Sequence, residues 1–275
     1  MIITPFDSEV WMTEHELDYK YNMTESCMEA MTLKDVVDED SLKDLMNGLM
    51  DYGPIMGSDR LKDAILGWYD TGSRENISLA FGAINANELV LMELLEAGDE
   101  VISLYPSYGQ LYDLPISLGC KVKLIELKKE NNWLVSIDDF KKVISKDTKL
   151  ICLNSPNNPT GTFISLDLML QIVELAKEND CYILCDEIYR GLNTQTGKLA
   201  YSVSDIYDKG IVTQSLSKVF SYAGLRCGWI KAPKDIIQRI DVRRDYHIIS
   251  LGPVIDRLST LVLENKDKII ERNLG

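Results

Sequence analysis

An α/β fold with a mainly parallel sheet and helices on both faces is what this sequence predicts, and three observations carry the prediction. Short apolar runs alternate with longer helical patterns from about Gly82 to Trp229. The chain has 275 residues and 45% hydrophobic content, enough core for one large domain or one domain plus part of another. Each strand-like run is followed by a polar, aromatic or Gly/Pro-marked segment, as strands of an open sheet are when their ends serve a site.

The elements follow in order. The first ~45 residues lack the alternating rhythm, and "WMTEHELDYKYNMTES" reads as an arm or part of a second unit. "SDRLKDAILGWYD" puts Leu61, Ala64, Ile65 and Trp68 on one helical stripe behind Ser58. "NELVLMELLEAG" is apolar on nearly every side, so it predicts a buried helix with Gly98 as its stop. "SLDLMLQIVELAKEND" predicts a helix capped by Ser165. Strands are predicted at "EVISL", "KVKLIEL", "KLICLN", "CYILC", "IVTQS" and "CGWIKA", with right-handed crossovers between parallel neighbours. After Trp229 comes a long helical stretch broken near Gly252-Pro253.

With 43 acidic and 29 basic residues the formal charge is −14, which argues against non-specific nucleic-acid binding and against an anionic membrane surface. Six scattered cysteines form no C-x-x-C pair and only His15 and His247 could join them, so no metal site is expected. The N-terminus has no basic start or sustained apolar run, and no stretch approaches the length of a membrane span; a cytoplasmic location is expected.

The strand ends carry the chemistry. "YPSYGQ" follows the first strand listed above, "SPNNPTG" the third, "DEIYR" the fourth, and "SLSK" closes the fifth. Together they offer an aromatic face, an amide, a carboxylate, a phenol and an amine. "FGAINAN" adds small residues that let backbone N–H groups and a helix N-terminus face an anion. This combination is what pyridoxal 5'-phosphate (PLP) requires.

The ordered set "NSPNNPTG", "DEIY" and "SLSK-x7-R" resembles the class I/II aminotransferases, fold-type I PLP-dependent enzymes similar to aspartate aminotransferase. The resemblance runs from about Tyr52 to Trp229 and more loosely over the arm. It implies a PLP-binding large domain over residues 46–245, an arm with part of a small domain over 1–45, and the start of an incomplete, truncated small domain over 246–275.

The resemblance also implies roles. Lys218 matches the lysine that joins the cofactor as a Schiff base and then shuttles a proton, work suited to an amine of lowered pKa. Asp186 matches the partner of the pyridine nitrogen. Asn158 and Tyr189 match the donors to the ring hydroxyl. Tyr108 falls where a ring stacks on the pyridine, although Tyr105 lies only three residues away. Ser215 and Arg226 match the phosphate's hydroxyl and guanidinium ligands. The backbone of Ala83, Ile84 and Asn85 matches the phosphate cradle; commoner forms carry a hydroxyl residue where Ile84 stands, a change that a backbone contact survives. Tyr52 resembles a Tyr that reaches the neighbouring subunit's phosphate, which implies a homodimer with shared active sites.

The expected activity is transfer of an amino group between an amino acid and a 2-oxo acid. The alternatives are a PLP-dependent C–S β-lyase and a truncated PLP-binding fragment without turnover. None of the arginines after Lys218 sits in a motif for the substrate carboxylate, so that residue is expected beyond residue 275.

Overall fold

The alternating runs assemble into one seven-stranded sheet in a computed structural model of the chain, which describes residues 3–192 and 199–275. The first two residues of the expected arm lie outside the described ones. The strands are β1 (Ile77–Ala80), β2 (Glu100–Tyr105), β3 (Lys121–Glu126), β4 (Thr148–Asn154), β5 (Tyr182–Asp186), β6 (Gly210–Ser215) and β7 (Gly228–Lys231). Their spatial order is β1-β7-β6-β5-β4-β2-β3. β3, β2, β4, β5 and β6 pair in parallel, while β7 is antiparallel to both β6 and β1.

The helices among the described residues are α1 (Asp7–His15), α2 (Glu39–Asn47), α3 (Asp59–Leu66), α4 (Gly82–Leu94), α5 (Gln110–Ser117), α6 (Ile137–Val143), α7 (Leu166–Asn179), α8 (Val203–Ile206), α9 (Lys234–Arg244), α10 (Pro253–Glu264) and α11 (Lys266–Leu274). Ser165 caps α7 through its side chain, as predicted, and Ser58 caps α3 in the same way.

Period-two alternation divides the core between the two faces of the sheet. Leu150, Cys152, Leu184, Ile211 and Ile230 face α4, α5 and α9. Ile151, Leu153, Ile183, Cys185 and Val212 face α6, α7 and α8. Towards the β1/β7 edge, Ile77, Leu79 and Trp229 pack with residues of α3, α10 and α11. The predicted helix-covered sheet is therefore present on both sides.

Several features differ from the expectation, among them α6, which the sequence analysis does not place. β1, "ISLA", is absent from it because a four-residue strand carries too little periodicity to stand out, although all four residues are buried. α5 holds Pro115 in its interior, a residue that reads as a breaker. α4 begins at Gly82, five residues before the predicted run, because the Asn85 side chain turns back and its Oδ1 accepts the Phe81 N–H at 3.1 Å.

β7 runs antiparallel to both neighbours, so β1 points the same way as β6. The ends of β1, β2, β4, β5 and β6 thus share one edge, and β7 starts there. At that edge Gly228 lies directly against the start of α4: a Cβ on Gly228 would come within 2.4 Å of the Gly82 carbonyl carbon. Backbone on both sides leaves no flexible side chain to move aside. We expect Gly228→Ala to destabilise the chain by about 1–3 kcal/mol, read as a lower urea midpoint at unchanged slope; an unchanged midpoint would show that β7 and α4 can separate freely.

Candidate active site

The shared edge gathers most of the predicted residues around one cavity of about 100 Å³. Ala83, Ile84, Tyr108, Asn158, Asp186, Tyr189 and Lys218 line it, together with Glu9, Ser26, Asn154 and Ile188. It adjoins two larger depressions of about 800 and 610 Å³, which share Ser26 and Asn158 with it. Tyr108 is the aromatic residue of "YPSYG" that lines the small cavity. Tyr105 instead sets its ring edge-on to Tyr112, with centroids 5.7 Å apart.

Lys218 follows β6 and is half-buried. Its Nζ donates to Ser26 Oγ at 2.9 Å and to Cys27 Sγ at 3.2 Å, with the Glu25 carboxylate at 4.0 Å. The Tyr189 hydroxyl donates to the same Ser26 oxygen at 2.9 Å. Burial alone pulls the amine's pKa down, but Tyr189, Cys27 and Glu25 outweigh it, so the pKa is raised. Three acidic groups folded around the amine hold it raised in the cofactor-free chain, opposite to the lowered value that would suit a proton shuttle. Burial likewise raises the Tyr189 phenol and the Cys27 thiol.

Asp186 ends β5 and is only 2% exposed. Asn87 Nδ2 donates to Oδ2 at 2.8 Å and the Ile188 N–H donates to Oδ1 at 3.1 Å. Asn87 is in turn fixed by the Thr213 hydroxyl at 2.6 Å and is itself wholly buried. Among the described residues Asp186 makes no ion pair within 4 Å. Desolvation therefore dominates the two hydrogen bonds, and its pKa is raised to about 6.

The opposite charge gathers where α4 begins. First-turn amides of a helix, here Gly82, Ala83 and Ile84, have no intrahelical acceptor. Arg226, held at φ +51°, lays its guanidinium against this turn: a Cβ on Gly82 would meet Nη2 at 2.7 Å. Asn85 is occupied in closing the helix start and lies outside the cavity lining. Ser215 is wholly buried, and its Oγ accepts the Ser217 N–H at 3.2 Å. The hydroxyl beside Arg226 is that of Ser217, with Nη1 at 3.5 Å. Tyr52 is 65% exposed and outside the lining, its carbonyl accepting the Ser250 hydroxyl.

Four contributors escaped the sequence reading: Ser26, Asn87, Asn154 and Ser217. Asn87 had a signal, since an amide inside an otherwise apolar buried helix demands a partner. Asn154 Nδ2 donates to the Asp186 carbonyl at 2.9 Å, and its Oδ1 accepts the Asn158 N–H at 2.7 Å. Ser26 gave no signal, because the arm's path over the sheet edge is a tertiary fact.

Fold and site together define an enzyme class built around one buried carboxylate, one amine and one anion cradle. The chain belongs to the family described as aminotransferase class I and II, whose model matches residues 18–255. It is 30% identical over 217 residues to an aspartate aminotransferase of Pyrococcus horikoshii, covering 77% of this chain and 56% of that protein. It is 28% identical over 222 residues to capreomycidine synthase of Streptomyces vinaceus, covering 81% and 57%. Among solved structures, a PLP-dependent aminotransferase from Streptococcus suis superposes with a TM-score of 0.94 at 37% identity, covering 99% of this chain and 74% of that one. The chain thus spans little more than half the length of these curated relatives.

The family's cofactor is pyridoxal phosphate. The residues present fit it: Asp186 is a buried carboxylate with no ion pair within 4 Å among the described residues, and Arg226 packs so closely on the first turn of α4 that a Cβ on Gly82 would meet its Nη2 at 2.7 Å.

The raised Asp186 pKa sets a sign for stability. Between the ordinary value of 3.8 and about 6 the native state holds a proton that the unfolded state has released. The group's contribution therefore falls as pH rises through that window. In the cofactor-free chain, the stability of Asp186→Asn relative to the unsubstituted protein should rise by about 2 kcal/mol between pH 4 and pH 7. Urea unfolding at stepped pH measures it, and a flat difference would contradict the assignment.

Proposed function

We propose that this chain is a PLP-dependent aminotransferase that moves an amino group between an amino acid and a 2-oxo acid. The observation that carries the reading is the shared cavity: an amine, a buried carboxylate, a phenol, an amide and an aromatic ring meet at the edge where α4 presents its N-terminus. When bound, the cofactor supplies an aldehyde carbon that condenses with amines and a ring that accepts an electron pair.

The chain's own residues have distinct tasks in this reading. Lys218 would take covalent hold of the cofactor and, once free, carry a proton to and from the reacting carbon. Asp186 would keep a proton on the ring nitrogen, and that cation would supply the counter-charge the carboxylate lacks. Asn158 and Tyr189 would hold the ring hydroxyl, and Tyr108 would offer its ring face. Arg226, Ser215 and the start of α4 at Ala83, Ile84 and Asn85 would hold the phosphate, with Ser217 beside Arg226 as a further candidate. The reading includes a homodimer in which Tyr52 reaches the second site, a cytoplasmic location, a cofactor domain over 46–245 flanked by parts of a smaller one, and no nucleic-acid or membrane partner.

One observation favours a second reading, a PLP-dependent reaction other than transamination: a curated relative is named capreomycidine synthase, not an aminotransferase; β-elimination is the alternative of this kind that the sequence motifs also allow. Both readings use Lys218 and Asp186.

Borohydride reduction of the PLP-loaded chain should fix the cofactor on Lys218, identified by peptide mass spectrometry. Lys218→Ala should lose that label and the visible absorption band, and turnover should fall by roughly 10²–10⁴-fold or more. Label on another lysine, or a band surviving in the variant, would overturn the site. With a panel of amino acids, amino-group transfer to an added 2-oxo acid supports transamination, whereas ammonia release supports elimination.

A further inference from the structure

We propose that Ser26 is a positioning residue that couples the Lys218 amine to the Tyr189 phenol through its own hydroxyl. The inference deepens the reading of Lys218 as the reactive amine and rests on it. Ser26 belongs to the coil after α1, far from both partners in sequence, yet it lines the small cavity and both adjoining depressions.

The geometry is specific. Lys218 Nζ and the Tyr189 hydroxyl each donate to Ser26 Oγ at 2.9 Å. A serine oxygen has two lone pairs and one proton, so two incoming donors fill its acceptor capacity. The oxygen thereby fixes the positions of both donors. If the amine becomes neutral, the same hydroxyl can turn its proton towards Nζ, so it serves either protonation state without moving the backbone.

Other groups also face the amine. Cys27 Sγ lies at 3.2 Å and the Glu25 carboxylate at 4.0 Å, while Asp186 and Glu9 share the cavity wall. Cys27 and Glu25 flank Ser26 on the same strip of arm, so all three approach Lys218 together. Ser26 differs from them in touching Tyr189 as well.

The test reads the amine directly and needs no cofactor. Lys218 in the cofactor-free chain is labelled competitively with acetic anhydride across pH 7–11, and its modification is quantified by mass spectrometry to give an apparent pKa. Ser26→Ala removes the acceptor of the ammonium, so this value should fall by roughly one unit. Ser26→Thr, which keeps the hydroxyl, should retain it. Tyr189→Phe should shift the amine more when Ser26 is present than when Ser26 is alanine, because part of the coupling passes through that oxygen.

Equal shifts from Tyr189→Phe in both backgrounds would overturn the proposal, since they would show a direct field from the phenol. So would an unchanged value in Ser26→Ala, or a Thr variant that falls as far as the Ala one. Near-native circular dichroism and urea midpoints for the Ser26 variants, expected of an exposed arm residue, separate these outcomes from misfolding. Failure here leaves the cofactor assignment standing, because that is tested by trapping on Lys218; failure of the trapping leaves the labelling result intact.

Discussion

The arrangement depends on one costly act, the burial of the Asp186 carboxylate at the end of β5. A charge taken out of water must be paired, hydrogen-bonded or neutralised. Here two hydrogen bonds from amide groups offset only part of the desolvation, and the pKa stays raised. The surrounding residues are spent on holding that carboxylate in place. Asn87 reaches it from α4 and is braced by Thr213 on β6, while Asn154 on β4 holds the Asp186 carbonyl. Three neighbouring elements thus lock a group that opposes stability by itself, which is what is expected where a bound cation completes the electrostatics.

Strand order brings the other charges to the same place. β7 turns back between β6 and β1, so the segment from Lys218 to Arg226 loops along the strand-end edge before the chain re-enters the sheet. The same turn sets the start of α4 against Gly228 and beneath Arg226. A positive end, formed by the guanidinium and the first-turn amides, and a negative end, formed by Asp186, therefore arise from one topological feature. The glycines at 82 and 228 permit this close approach, which any side chain would prevent.

Much of this was legible in the sequence because it is local. Strand-end motifs announce themselves through Asn, Pro, Gly and Tyr placed directly after apolar runs, and α3 and α7 through a serine cap and a helical stripe. What stayed hidden is non-local or weakly periodic. β1 is too short to show alternation, and α5 conceals its helix behind Pro115. Ser217 and Ser215 lie two residues apart on the same segment, and only the fold shows which hydroxyl stands beside Arg226. The direction of the Lys218 pKa is hidden for the same reason: burial of the amine is foreseeable, but the acidic arm folded over it is not.

That arm marks a division of labour. Among the described residues, the sheet edge contributes the amine, the carboxylate, the phenol and the amides, which are common to many reactions of one cofactor. Among the described residues, the 800 Å³ depression, lined by Trp133, Leu134, Phe163 and the "NNPTG" turn, carries no charged side chain, whereas the 610 Å³ one is edged by Asp7, Glu9, Glu25 and Asp113 and reaches Lys218. The two depressions thus differ in the charge of their described lining and meet at Ser26. Ser26 touches the amine and borders each approach, so the arm ties the groups of the sheet edge to both depressions.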